Sequence, residues 1–183
     1  MKATEANLLK FMRNSPQLVI PIFQRTYSWT GQECQQLWDD IIRTGSRDSV
    51  SAHFIGSIVY IEKGLYHVSH GSPLLVIDDQ QRLTTISILL EVLARHLGDT
   101  EPEDGFSAKK LRNYYLINDL ESGEQRHKLL LTQTDRDSLL ALRSRDPGRE
   151  STHYVLGPIS SYLMIGLRNW ETNFQLCVRA WPN

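Results

Sequence analysis

Cysteine is scarce in this chain. Cys34 and Cys177 are the two present, far apart and without metal-ligand spacing, so a reducing compartment is expected. Long hydrophobic runs are missing too. A run such as Tyr162–Leu167 is too short to cross a bilayer, and the start, Met1–Glu5, is polar rather than a leader. The expectation is a cytoplasmic protein without membrane association. Neither sign of charge is in excess: 20 Lys and Arg against 21 Asp and Glu leave a formal net charge of −1. That excludes a global basic field for nucleic acid or anionic lipid, so any DNA contact must come from a local patch. A Walker-type glycine-rich loop, a G-x-S-x-G elbow and a zincin signature are all absent, as are internal repeats and low-complexity segments.

What remains is an ordinary globular composition. Hydrophobic residues make up 40% and charged residues 22% of 183 positions, enough to bury a core in one domain or one domain with a small annex. The periodicity predicts a short helix from Glu5 to Arg13, stopping before Pro16. Leu18–Ile22, interrupted by Pro21, suits an edge strand. Thr30-Gly31-Gln32-Glu33 is a capping box opening a helix with an apolar stripe of Leu37, Trp38, Ile41 and Ile42. Trp29 precedes the cap, placed to staple against Cys34. Phe54–Ile61 and Leu65–Ser69 read as paired strands around a turn at Glu62-Lys63-Gly64. Leu74–Ile77 reads as a central strand. The next helix carries Leu83, Ile86, Leu89, Leu90, Leu93 and Leu97, with Ile88 and Val92 widening the face, and Glu91 and Arg95 form an i,i+4 pair on its exposed remainder.

The acidic stretch from Gly98 to Gly105 is the candidate boundary. It divides a core over 1–98 from a mostly helical annex over 106–183. Within the annex the pattern predicts helices over Ala108–Asn118, Thr134–Arg143 and His153–Trp170, the last kinked or begun by Pro158. A short strand is expected at Lys128–Thr132 and a turn at Asp146-Pro147-Gly148. The fold class expected is α/β in the α+β sense.

Chemistry concentrates where a buried strand runs into the long helix, at Val76-Ile77-Asp78-Asp79-Gln80-Gln81-Arg82-Leu83-Thr84-Thr85. A helix start presents unpaired N–H groups and partial positive charge, which suits a phosphate. On one reading Arg82 forks onto phosphate oxygens, Gln80 and Gln81 bond phosphate, base or an attacking water, and Asp78 or Asp79 holds Mg²⁺ or orients that water. On the other, the acids cap the helix and Arg82 pairs with one of them.

A second segment, Pro21–Trp29, offers Gln24 and Arg25 to the same anion and Tyr27 or Trp29 for stacking on a base; equally, the aromatics are core and Arg25 is ion-paired. A third, His53-Phe54-Ile55-Gly56-Ser57, carries a strand glycine that either marks a close backbone approach or makes room for a neighbouring side chain. Ser57 and Thr84 complete the candidate nucleotide-binding set. His67 and His70 read as a solvated turn rather than a metal site.

These three boxes in order, I-P-I-F-Q-R-T-Y-S-W, H-F-I-G-S-I-V and V-I-D-D-Q-Q-R-L-T-T-I, resemble the N-terminal domain of GmrSD-type, modification-dependent restriction endonucleases. The family pattern pairs an I-P-x-Y-Q-R-x-Y-x-W box with a D-G-Q-Q-R box. Leu111–Leu116, Lys128–Thr132 and Asp135 also fit, so the likeness covers roughly residues 5–145. It implies a ParB-like core that binds nucleoside triphosphates with Mg²⁺, and hydrolysis in relatives. It also implies coupling to cleavage of modified phage DNA by a separate nuclease domain of the HNH type.

Carried over by position, Asp78, Gln80, Gln81 and Arg82 form the nucleotide box, completed by Gln24 and Arg25. Asp78 and Gln81 would be catalytic, and Asp78 and Asp79 would hold metal. Two departures stand out. Asp79 replaces the family's glycine, bringing a second carboxylate beside a polyanion. No nuclease motif follows the domain, so DNA cleavage by this polypeptide is not expected. A non-catalytic DNA-binding module built on Arg25, Arg43, Arg47 and Lys63, or a scaffold for a nuclease subunit, is the alternative.

Overall fold

The computed structural model describes residues 4–46, 54–62, 72–102 and 106–144, together with positions 159, 161 and 163. The expected strand at 65–69, its turn, His67, His70, the turn at 146–148, Arg47, Lys63 and Cys177 lie outside the described residues. Within the predicted 153–170 helix, positions 159, 161 and 163 are helical, with Ile159 and Leu163 buried.

Among the described residues, a four-stranded mixed sheet is joined by five α-helices that are described along their length. The strands are β1 (Leu18–Val19), β2 (Val59–Glu62), β3 (Leu74–Asp78) and β4 (Leu129–Leu130), and the helices α1 (Leu8–Asn14), α2 (Gly31–Gly45), α3 (Gln80–Leu97), α4 (Ala108–Leu111) and α5 (Gln133–Ser144). The spatial order is β2-β3-β1-β4, with β1 parallel to β3 and β4, and β2 antiparallel to β3. The mixed α/β class expected from the pattern is therefore present.

β1 is an interior strand, not the edge strand that Pro21 suggested. The paired residues are Leu18 and Val19, so the proline falls beyond the ladder and removes no hydrogen bond from it. β2 is shorter than the apolar run implied and pairs with β3 across a bulge between Val59 and Tyr60.

β4 comes from beyond the Gly98–Gly105 linker yet joins the same sheet, and the hydrophobic core runs without interruption from Met12 to Leu163. Lys128 ties the two halves together. Its Nζ donates to the carbonyls of Met12 (3.3 Å), Arg13 (2.6 Å) and Ser15 (3.1 Å), satisfying the orphan end of α1, and burial pushes the ammonium below its usual pKa.

α3 is the spine. Leu83, Ile86, Ile88, Leu90, Val92, Leu93, Ala94 and Leu97 are all buried, so the helix is covered on most sides, as its broad apolar face predicted. Burying one such leucine contributes about 2 kcal/mol. Glu91 departs from expectation. It is only 2% exposed, and its carboxylate bridges Arg95 (3.3 Å) and Arg112 (2.9 Å) instead of sitting on a solvated face. The helix predicted over Ala108–Asn118 holds α geometry for α4 and then widens into a π-helix over Arg112–Leu116, closed by the Ile117 amide on the Arg112 carbonyl at 2.9 Å.

Candidate functional site

The site is built where β3 ends and α3 begins. Asp79 stands between them with φ 74° and ψ 23°, the left-handed region that favours glycine. It is the lone non-glycine residue with positive φ among the described residues. An aspartate makes this turn, a residue type that tolerates the left-handed region better than most.

Asp79, at the N-cap of α3, makes no side-chain capping bond. The contrast with its neighbours is physical: Asn7 caps α1, Thr30 with Glu33 caps α2, and Ser107 caps α4. Asp79 turns its carboxylate away from the helix amides and onto Arg82, whose Nη1 donates to Oδ1 at 2.7 Å and Oδ2 at 2.8 Å. Burial pushes the Asp79 carboxyl above its usual range, more than Arg82 pulls it down. Asp78 is exposed and accepts the Asp79 amide at 2.8 Å.

Gly56 shapes the corner from the other side. Its φ is +117°, and a Cβ there would collide with Arg82 Nη1 and stand 3.1 Å from Cζ. The close approach and the room for a side chain are one feature: the guanidinium lies against the glycine backbone. Ser57, beside it in the chain, is exposed. Trp29 flanks the guanidinium, with Arg82 Cζ 5.8 Å from a ring centroid.

The three glutamines bind the 21–29 loop to this junction through main-chain groups. Gln24 Nε2 donates to the Ile77 carbonyl at 2.6 Å, and Gln80 Nε2 to that of Arg25 at 2.5 Å. Gln81 Oε1 accepts from the amides of Ser28 (2.8 Å) and Trp29 (3.2 Å), while its Nε2 donates to the Thr26 carbonyl at 3.2 Å. For Gln81 to orient a water, it would have to release one of these amides. Thr84 is buried, with its hydroxyl on the Gln80 carbonyl at 2.8 Å. Arg25 is brought to the same corner by Gln80, but its side chain is exposed and makes no ion pair among the described residues.

Two residues support the corner through partners that the sequence does not disclose. Tyr27 is buried, its hydroxyl 2.7 Å from Thr85 Oγ1 and 3.6 Å from Cys34 Sγ, and burial pushes that hydroxyl's pKa upward. The Tyr27 amide donates to Asp135 Oδ2 at 2.6 Å. Asp135 was legible as part of the resemblance and stands in the first turn of α5; its partner lies 108 positions earlier, beyond any local signal. A narrow seam lined by Tyr27, Gln80, Gln81, Thr84, Thr132 and Asp135 joins these groups.

Asp78 and Asp79 are adjacent carboxylates, and among the described residues no group of three or more His, Cys, Asp or Glu gathers as a metal cage. Of the basic cluster considered for DNA, Arg43 is paired with Asp40. Among the described residues no helix is long and apolar enough to cross a membrane. No curated protein matches the chain. The family model described as "GmrSD restriction endonuclease, N-terminal domain" matches residues 6–158, which carry every box assembled at this corner, and the chain belongs to that family.

Proposed function

We propose that the Asp78–Arg82 corner binds the polyphosphate of a nucleoside triphosphate, and that the domain serves a modification-dependent restriction system acting in phage defence. One observation carries the reading. The longest described helix starts at a left-handed aspartate that does not cap it, and that aspartate holds the Arg82 guanidinium in the room left by Gly56. Amides at a helix start and a forked cation are the two groups that recognise phosphate.

In this proposal Arg82 and Arg25, which has no ion pair among the described residues, neutralise phosphate charge. Gln24, Gln80 and Gln81 hold the loop that carries Arg25 in register with the junction. Mg²⁺ usually takes one or two carboxylates and fills its remaining positions with water and phosphate oxygen. Asp78, exposed at the strand end, fits that role. Asp79 fits it only after leaving Arg82. Bound Mg²⁺ would screen the two carboxylates from the polyanion and polarise a phosphate oxygen. The same exchange, with Asp79 releasing the guanidinium as phosphate arrives, makes Asp79 a built-in competitor for the anion. Ser57 and Thr84 stand beside the corner as further hydroxyl groups.

The reading extends to a partner. The family name is that of a restriction endonuclease, so modified DNA is the proposed target, and cleavage is assigned to a separate nuclease domain of the HNH type. Calorimetric titration of the full chain with each of the four nucleoside triphosphates in Mg²⁺ tests the binding claim. Heat of binding to at least one of them, lost in Arg82→Ala, is expected. No heat with any of them, or equal heat with the variant, overturns it.

A further inference from the structure

The cations first considered for DNA lose Arg43 to an ion pair with Asp40. A different set gathers where α1 meets α4 and the π-helix, around the ring of Tyr114. Arg13, in the last turn of α1, holds its guanidinium carbon 4.1 Å from the ring centroid. Lys110 of α4 holds its ammonium 5.7 Å from the same centroid. The ring itself is fixed. It packs against the core, and buried Tyr115 meets it in a T-shaped contact with centroids 6.0 Å apart.

Lys10 and Lys109 extend the cluster. Lys10 stands three residues before Arg13 and therefore on the same side of α1. Lys109 stands beside Lys110, while Ala108 and Leu111 bury the other side of α4. All four cations are exposed, and none has an ion pair among the described residues. The exposed carboxylate of Asp119 accepts from Asn113 Nδ2 at 3.5 Å rather than from any of them.

Cations in a last turn often serve the helix end, where they complement the dipole. These do not. At the end of α1 the carbonyls of Met12, Arg13 and Ser15 already accept from Lys128. α4 has no free end at Lys109 and Lys110, because the chain runs on into the π-helix over Arg112–Leu116. In a chain of net charge −1, four such cations around one ring make a local field that attracts a polyanion. Duplex DNA fits that field. Its phosphates repeat about every 3.4 Å along each strand, so one strand can meet charges from two neighbouring helices. Arg, Lys and Tyr are all side chains that bind phosphate oxygens.

We propose that Lys10, Arg13, Lys109 and Lys110, set around Tyr114, form the face of this domain that holds the phosphate backbone of duplex DNA. The face shares no residue with the Asp78–Arg82 corner. It rests on the proposed restriction role only for the choice of DNA as the polyanion. Backbone contacts do not read bases, so an unmodified duplex is a sufficient probe.

Fluorescence anisotropy of a short labelled duplex, titrated with the full chain at several salt concentrations, tests the face. Four phosphate contacts give a slope of about −3.6 for log affinity against log salt, a roughly hundredfold loss between 50 and 200 mM. The combined variant Lys10→Gln, Arg13→Gln, Lys109→Gln, Lys110→Gln should flatten that slope by about 3 and weaken binding at low salt at least tenfold. It should unfold no lower than the wild type, since the side chains it changes are exposed and hold no carboxylate. Arg43→Gln should leave the slope as it is. Equal slopes and affinities in the wild type and the combined variant overturn the face and leave the restriction role standing, as does a slope that falls as far in Arg43→Gln as in Arg13→Gln. No binding of the duplex by the wild type at low salt overturns the face together with the choice of DNA; capture by phosphatidylserine vesicles would then assign it to a membrane surface. The nucleotide corner is untouched by either failure, because calorimetry with triphosphates tests it alone.

Discussion

Substituting Gly56 with alanine strikes the corner without removing any polar group. Two costs follow from the geometry. The backbone at φ +117° is a conformation that a Cβ-bearing residue rarely adopts, costing about 1–3 kcal/mol. The new methyl also overlaps Arg82 Nη1, so the guanidinium must swing out and break its two bonds to Asp79 at 2.7 and 2.8 Å. That pair is part-buried, with side chains 27% and 14% exposed, so its loss adds about 1 kcal/mol at most. The sum is about 1–4 kcal/mol, or roughly 2–16 °C in unfolding temperature for a chain of this length. The second cost exists only while Arg82 is present. In an Arg82→Ala background, Gly56→Ala should therefore cost about 1 kcal/mol less than in the wild-type chain. Urea unfolding of the four members of this cycle measures that coupling. If the two changes add within about 0.3 kcal/mol, the close approach of guanidinium and glycine is refuted.

Other outcomes follow from the same geometry. Asp79→Gly relieves the left-handed strain, about 1 kcal/mol, and gives up an ion pair of similar size, so stability should change by less than about 1 kcal/mol while triphosphate affinity rises; calorimetry showing unchanged or weaker binding contradicts the competitor role. Asp135→Ala leaves the buried Tyr27 amide without an acceptor and should cost about 1–3 kcal/mol in denaturant unfolding, with Asp135→Asn costing less; a neutral alanine would deny the tether. His127 has a folded pKa below 6.5, so the unfolded chain binds more protons between the two values. Stability should therefore rise as pH climbs from the folded pKa towards 6.5 and level off above it. Thermal unfolding across pH 5–8 should show this slope in the wild type and lose it in His127→Gln.

What the sequence disclosed divides along physical lines. The Thr30–Glu33 capping box was legible because it is local: its two partners are three residues apart. α3 was legible because its leucines and isoleucines repeat at helical spacing. Glu91 misled because an i,i+4 pair with Arg95 looks the same on a wet face or a dry one; the second arginine that buries it comes from 21 residues on. β1 misled because Pro21 seemed to consign to the sheet's edge a strand that ends before reaching it. The widening at Arg112–Leu116 has no signature in its residue types. At the corner, the identity of the boxes was visible, and so was Arg82 pairing with an acid as one of two readings. Hidden were the glutamines' main-chain partners, 52 to 55 residues away in the chain, and the seat that Gly56 offers to Arg82.

The most direct measurement is a crystal structure of the full chain soaked with Mg²⁺ and a slowly hydrolysed nucleoside triphosphate. The account predicts phosphate oxygens against the Arg82 guanidinium and the first amides of α3, with Asp79 drawn off Arg82. A corner that keeps the Asp79–Arg82 pair and holds no phosphate at saturating nucleotide contradicts it.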